Sequence, residues 1–135
     1  MEIQCFDQVR SASPINPQYS VAKSACVALA RNIGPPFLKT ENITVNVICP
    51  AFILTSLCPP KIRELFPKDQ VTPMDTCLRA YDQFIKDGNL TGQIAELSIE
   101  KIIYRKQIEY ATENQRWLLE DAVKVWELAY GDGAS

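Results

Sequence analysis

Pro17-Gln-Tyr-Ser-Val-Ala-Lys-Ser-Ala-Cys-Val-Ala-Leu-Ala-Arg31 and the later Ile43-Thr-Val-Asn-Val-Ile-Cys-Pro50 decide the fold. In the first stretch Val21, Ala22, Ala25, Cys26, Leu29 and Ala30 recur at three- and four-residue spacing, which predicts a helix from Tyr19 to about Ile33. Gly34-Pro35-Pro36 predicts its end, because Gly can take a left-handed cap and Pro cannot continue a helix. The second stretch is rich in β-branched residues and almost continuously apolar, as suits a parallel strand covered on both faces. Pro50 stops it.

Working outward, Met1 to Phe6 reads as a short strand and Arg10 to Gln18 as a loop broken by Pro14 and Pro17. Ala51 to Val71 holds Pro59, Pro60 and Pro67, and an irregular stretch of that length is usually functional or mobile. Thr72 as N-cap with Pro73 at the first helical position predicts a helix to about Asp87, with Leu78, Tyr81, Phe84 and Ile85 as its apolar stripe and Gly88 as its stop. Gln93 to Tyr104 reads as one more strand. Glu113 to about Tyr130 reads as a single amphipathic helix carrying Trp117 and Trp126 as core or interface anchors. Strands alternating with helices predict an α/β fold with a parallel sheet, in one domain over residues 1–135.

Composition narrows the chemistry. The chain has 14 Lys+Arg, 16 Asp+Glu and a net charge of −2, with no basic run of the kind that would grip nucleic acid. No apolar stretch approaches the ~20 residues that cross a bilayer. Histidine is absent, so acid–base work would fall to Tyr, Lys, Asp, Glu or Cys. Five cysteines, odd in number and without a C-x-x-C pair, offer neither a disulfide framework nor metal-ligand spacing. No secretory signal opens the sequence, which predicts a cytoplasmic protein with buried free thiols.

Tyr19 and Lys23 stand at i and i+4, one turn apart on one helix face. A phenol alone is a poor acid–base catalyst at neutral pH, and a cation one turn away stabilises its phenolate. The same spacing also occurs on plain solvated helix faces. The surroundings add more. The Tyr19 helix, the strand ending at Pro50, Ala51-Phe-Ile-Leu-Thr55 and Thr91-Gly92-Gln93 with Ala95-Glu96-Leu97 resemble, in order, the short-chain dehydrogenase/reductase family. Val71 to Asp75 and the Lys101 to Trp117 tail look most like fungal members of its hydroxyprostaglandin-dehydrogenase-like branch.

That resemblance implies Tyr19 and Lys23 as the catalytic pair and Thr55 as a former nicotinamide contact. It also implies two departures. Aligned without gaps, Phe6 occupies the position of the family's catalytic Ser, while a gapped match brings in Ser11 or Ser13. The glycines stand at 34, 88, 92, 131 and 133, and none forms the Gly-rich turn that holds a dinucleotide's phosphates. The expectation is therefore a partial Rossmann-like sheet, the C-terminal half of the family fold, that binds no cofactor and no metal.

The leading functional expectation is a cofactor-independent isomerase, cyclase or dehydratase acting on a small organic, natural-product-like substrate. Tyr19 and Lys23 would be catalytic, and Asp7 would face the same cleft unless it is a solvated loop carboxylate. Phe6, Phe52, Thr55 and Trp117 would line the substrate pocket. Two alternatives stand beside it: a non-catalytic half-domain that docks on a partner, and an NAD(P) oxidoreductase completed by another chain. A homodimer through the Tyr19–Ile33 helix is expected, with no nucleic acid or membrane partner.

Overall fold

The structure, a computed structural model, describes residues 2–4 and 17–131. The element order is β1 (Glu2–Gln4), α1 (Pro17–Glu41), β2 (Asn46–Pro50), α2 (Pro60–Leu65), α3 (Met74–Lys86), β3 (Ile94–Ser98), β4 (Lys101–Tyr104), α4 (Glu113–Glu120) and α5 (Val123–Tyr130). The four strands form one sheet in the order β1-β2-β3-β4. β1, β2 and β3 run parallel, and β4 turns back antiparallel on β3.

All five residues of β2 are buried, as the apolar run predicts for a strand covered on both sides. Val45, Val47 and Cys49 meet Val27 and Ala30 of α1, together with Ile94 of β3. On the opposite face Ile48 joins Ala95 and Leu97 against Cys77, Ala80 and Phe84 of α3. Successive strand residues alternate between the two helical layers, and the result is a helix–sheet–helix sandwich.

The amino end of β2 is tied down by side chains. Asn46 is buried; its amide donates to the Leu90 carbonyl at 2.7 Å and its Oδ1 accepts from Gln93 N–H at 3.0 Å. Beside it, the Thr91 hydroxyl accepts from Val45 N–H at 3.2 Å, and Gly92 N–H donates to the Val45 carbonyl at 2.8 Å. A polar residue inside an apolar strand thus has its hydrogen bonds met, the condition on which it is tolerated there.

Several of the sequence expectations are corrected. The first helix continues through Gly34-Pro35-Pro36 to Glu41. Proline's fixed φ is itself helical, and Gly34 serves for close packing instead of capping: a Cβ there would lie 2.7 Å from Gly92 N and 2.9 Å from Thr91 Oγ1. The helix ends one residue before Asn42, which takes the left-handed conformation at φ 56°. Thr72 caps no helix. Its buried hydroxyl accepts from Ile99 N–H at 3.1 Å, and Pro73 stands at the cap position; α3 itself ends at Lys86 with Asp87 as its C-cap, just before Gly88.

The predicted Gln93–Tyr104 strand is a hairpin. It reverses at Ile99-Glu100, with Ile99 at φ 54°, so the sheet is mixed rather than wholly parallel. The last helix divides at Asp121-Ala122, leaving Trp117 and Trp126 on separate helices, each about half exposed instead of in the core. Within α3 the sheet-facing residues are the small Thr76, Cys77 and Ala80 with Phe84, and Leu78 and Ile85 point outward. Ala51 to Val71 is not wholly irregular, since it holds α2 and a single 3-10 turn at Lys68–Gln70. Among the described cysteines Cys49 and Cys77 are buried and Cys26 and Cys58 half-buried, all free thiols.

The contact at Gly34 yields a test. Ala is favoured over Gly in helices by roughly 1 kcal/mol, yet Gly34→Ala is expected to lower unfolding free energy by about 1–3 kcal/mol, because the new methyl meets backbone that cannot step aside. Urea denaturation measures this, and an increase in stability would show that α1 does not seat on Gly92.

Candidate functional site

α1 is oriented by its far end. Arg31 donates to the Arg105 and Lys106 carbonyls just after β4, and Gly34 abuts Gly92 just before β3, so this part of the helix lies at the amino end of β2 and β3. At ~1.5 Å per residue the helix from Gly34 back to Tyr19 spans about 22 Å. A five-residue strand such as β2 covers only about 16 Å. Tyr19 and Lys23 therefore reach the carboxyl end of the parallel strands, where open α/β sheets bind ligands.

There the Lys23 ammonium sits over the Tyr19 ring, 5.4 Å from its centroid. Both side chains are half-buried, and Ser20 between them faces inward. The i, i+4 spacing read from sequence is thus a real contact, and its form is a cation over an aromatic face. Chemically it places a positive charge over the ring face of a phenol.

The loop after β2 leaves the sheet at the same end. Ala51 N–H still bonds to the Leu97 carbonyl at 2.9 Å, and the chain then turns through Phe52 and Thr55. Phe52 stacks on Phe66 with ring centroids 3.7 Å apart. The Thr55 hydroxyl accepts from Leu57 N–H at 3.3 Å and lies 4.0 Å from Cys58 Sγ. Arg63 of α2 holds this turn, its guanidinium donating to the Thr55 carbonyl at 2.6 Å and the Cys58 carbonyl at 2.9 Å. Arg63 escaped the sequence reading, because a clamp onto backbone carbonyls leaves no side-chain pattern to find.

The predicted site residues therefore divide. Tyr19 and Lys23 meet, and the topology carries Phe52 and Thr55 to the same end of the sheet. Trp117 belongs to α4, which packs mainly on α5, so it is not brought to the corner formed by α1 and β2. Phe6 and Asp7 lie outside the described residues.

Two of the clefts among the described residues lie elsewhere. One, of about 580 Å³, is lined by Tyr110, Glu113, Arg116 and Glu120 among others. Arg116 there binds Glu113 at 2.6 Å and Glu120 at 3.0 Å, and its hydrogen bond holds the Glu113 carboxyl below the usual carboxylate range. Loss of solvation and the neighbouring Glu120 carboxylate push the Tyr110 phenol up. The other cleft, of about 360 Å³, lies between Arg31 and Lys106. Among the described residues no His, Cys, Asp and Glu converge in a metal-binding group, and no helix is long and apolar enough to cross a membrane.

No family model matches the chain. It is similar to the short-chain dehydrogenase/reductase prx6 of Penicillium rubens, 30% identical over 112 residues that make up 82% of this chain and 37% of that protein. Its fold matches the crystal structure of a short chain dehydrogenase from Mycobacterium avium with a TM-score of 0.60 at 17% identity, over 92% of this chain and 42% of the other. The chain thus spans about two fifths of the length of the proteins it matches. Sequence and fold point the same way: this chain is similar to short-chain dehydrogenases/reductases and corresponds to part of their α/β fold.

Proposed function

We propose that this chain moves protons instead of hydride, catalysing isomerisation, dehydration or cyclisation of a small organic, natural-product-like molecule. The observation that carries the reading is the Lys23 ammonium over the Tyr19 ring at the carboxyl end of the sheet. In this reading the Tyr19 hydroxyl, or its phenolate, exchanges a proton with the substrate. Lys23 stabilises the negative charge on the phenol oxygen while the proton is away. Phe52 and Thr55 border the substrate. For an isomerisation the balance is simple: one C–H or O–H bond breaks towards the phenolate, and the same proton returns to another substrate atom.

The dinucleotide used by the family finds no cradle among these residues. Its phosphates need backbone N–H groups at a glycine-rich opening of a helix. Here Gly34 is spent on helix–loop contact inside α1, Gly92 lies in the loop before β3, and Gly88 and Gly131 stand at helix ends. No step is therefore drawn through NAD(P). The oxidoreductase reading is favoured by one observation, the similarity to a fungal dehydrogenase/reductase nearly three times as long as the matched segment; under it, a further polypeptide segment would supply the cradle.

The reading includes a homodimer through α1, whose outward face exposes Val21, Leu29 and Phe37. The same apolar face would serve a non-catalytic half-domain that stabilises a partner.

Loss of the phenol should be severe. Tyr19→Phe is expected to reduce product formation by about 10²–10⁴-fold, the usual contribution of a positioned acid–base group. Lys23→Ala should reduce it at neutral pH and regain part of the loss as pH rises, since hydroxide then takes over the task of favouring phenolate. Metabolite profiling of a host carrying each variant checks both, and unchanged product with both variants removes the proposal. Calorimetry with NAD and NADP separates the alternatives: micromolar binding by the isolated chain would install the oxidoreductase reading instead. Sedimentation velocity is expected to show a dimer at tens of micromolar, and a stable monomer would eliminate the α1 interface.

A further inference from the structure

The 360 Å³ cleft at the amino end of the strands is independent of the Tyr19 site, and its charge is unbalanced. Its walls are Arg31 and Pro35 of α1, the Thr91–Gln93 segment before β3 and the Arg105–Gln107 segment after β4. No carboxylate lines it. Arg105 is neutralised by its ion pair with Glu96 of β3, but among the described residues Arg31 and Lys106 have no carboxylate partner. In a chain of net charge −2, two uncompensated cations beside one hollow are a local reversal of sign.

Arg31 is also held in place. Its Nη2 donates to the Arg105 carbonyl at 3.3 Å and the Lys106 carbonyl at 3.2 Å, and the side chain is half-buried. Both bonds use Nη2, which fixes the orientation of the guanidinium and leaves Nε and Nη1 as two separate donors on different edges. Each can donate one charge-assisted hydrogen bond to an oxygen of a carboxylate or phosphate. Lys106 supplies a second, mobile charge, and the side-chain amides of Gln93 and Gln107 supply neutral hydrogen-bonding groups. The volume lies near the small end of the ~300–1,000 Å³ typical of ligand pockets, which suits a compact ligand.

We propose that this cleft binds a small oxyanion, a phosphoryl or carboxylate group, with Arg31 as the oriented charge and Lys106 as the second. Anion occupancy would also join α1 to the loops before β3 and after β4.

The experiment is a ¹H–¹⁵N NMR titration of the full chain with sodium pyrophosphate and, separately, disodium succinate, each against sodium chloride at matched ionic strength. Saturable shifts are expected at the amides of Gly92, Gln93, Lys106 and Gln107 with at least one of the two anions. Tighter pyrophosphate binding assigns a phosphoryl ligand, and tighter succinate binding a carboxylate. Lys106→Gln, at an exposed residue whose loss leaves the fold intact, should weaken binding about tenfold. Arg31→Lys, which keeps the charge and loses the fixed orientation of the guanidinium, should weaken it further, and Lys124→Gln on α5 should leave it unchanged. Shifts that grow linearly and match those of chloride, or that survive Lys106→Gln and Arg31→Lys undiminished, overturn the proposal.

Discussion

Helix α1 meets the loop before β3 at a distance that only glycine allows. With hydrogen in place of Cβ at Gly34, the helix backbone closes on the Thr91-Gly92 peptide, and the Pro35 ring comes to rest against Gly92, which is itself at φ +68°. That contact fixes one end of a stiff rod of 25 residues, and Val27 and Ala30 against β2 fix its middle. The free end has no choice of position. Tyr19 and Lys23 are carried past the strand ends by helix geometry alone, so the candidate chemistry at one end of the sheet depends on steric fit at the other.

How much of this the sequence discloses depends on whether each residue's local preference and its tertiary use agree. They agree in the Ile43 to Cys49 stretch, where an apolar β-branched run wants burial on both faces and receives it, although the strand itself begins at Asn46. They agree at Tyr19 and Lys23, because i, i+4 proximity is a property of the helix and needs no partner element. They disagree at Gly34-Pro35-Pro36, whose punctuation value is overridden by packing. They disagree again at Ile99-Glu100, since a tight turn built on Ile in a left-handed conformation carries none of the Gly or Asn signals by which hairpins are recognised. In α3 the buried face is chosen by small size, and Thr76, Cys77 and Ala80 let the helix lie close to the sheet while larger Leu78 faces solvent.

The loop after β2 follows a third logic. Nothing in Ala51 to Val71 is periodic, yet it is ordered by contacts to backbone atoms and by one ring pair. Arg63 spans the Thr55 and Cys58 carbonyls, Cys58 Sγ reaches the Ile53 carbonyl at 3.6 Å, and Phe52 lies on Phe66. Thr72 then joins the loop's end to the hairpin turn, donating its N–H to the Phe52 carbonyl at 2.8 Å and accepting from Ile99 with its hydroxyl. The segment that borders the Tyr19 end is therefore held between two fixed elements, which is how a loop keeps a side chain such as Thr55 in place without regular structure.

The hairpin has a consequence for charge. Had the chain run straight on from Ser98, Arg105 would stand far beyond the carboxyl end of β3. The reversal at Ile99-Glu100 returns it alongside the strand's beginning, where its N–H bonds to the Ile94 carbonyl at 2.8 Å and its guanidinium reaches Glu96. Glu96 is a carboxylate buried on the face that α1 covers, and an ion in that setting is tolerated only when paired. Arg105 thus serves Glu96, and its backbone carbonyl serves Arg31. A strained turn at one end of the sheet is in this way coupled to charge neutralisation at the other, and Arg31 is left to act outward because Arg105 already faces in.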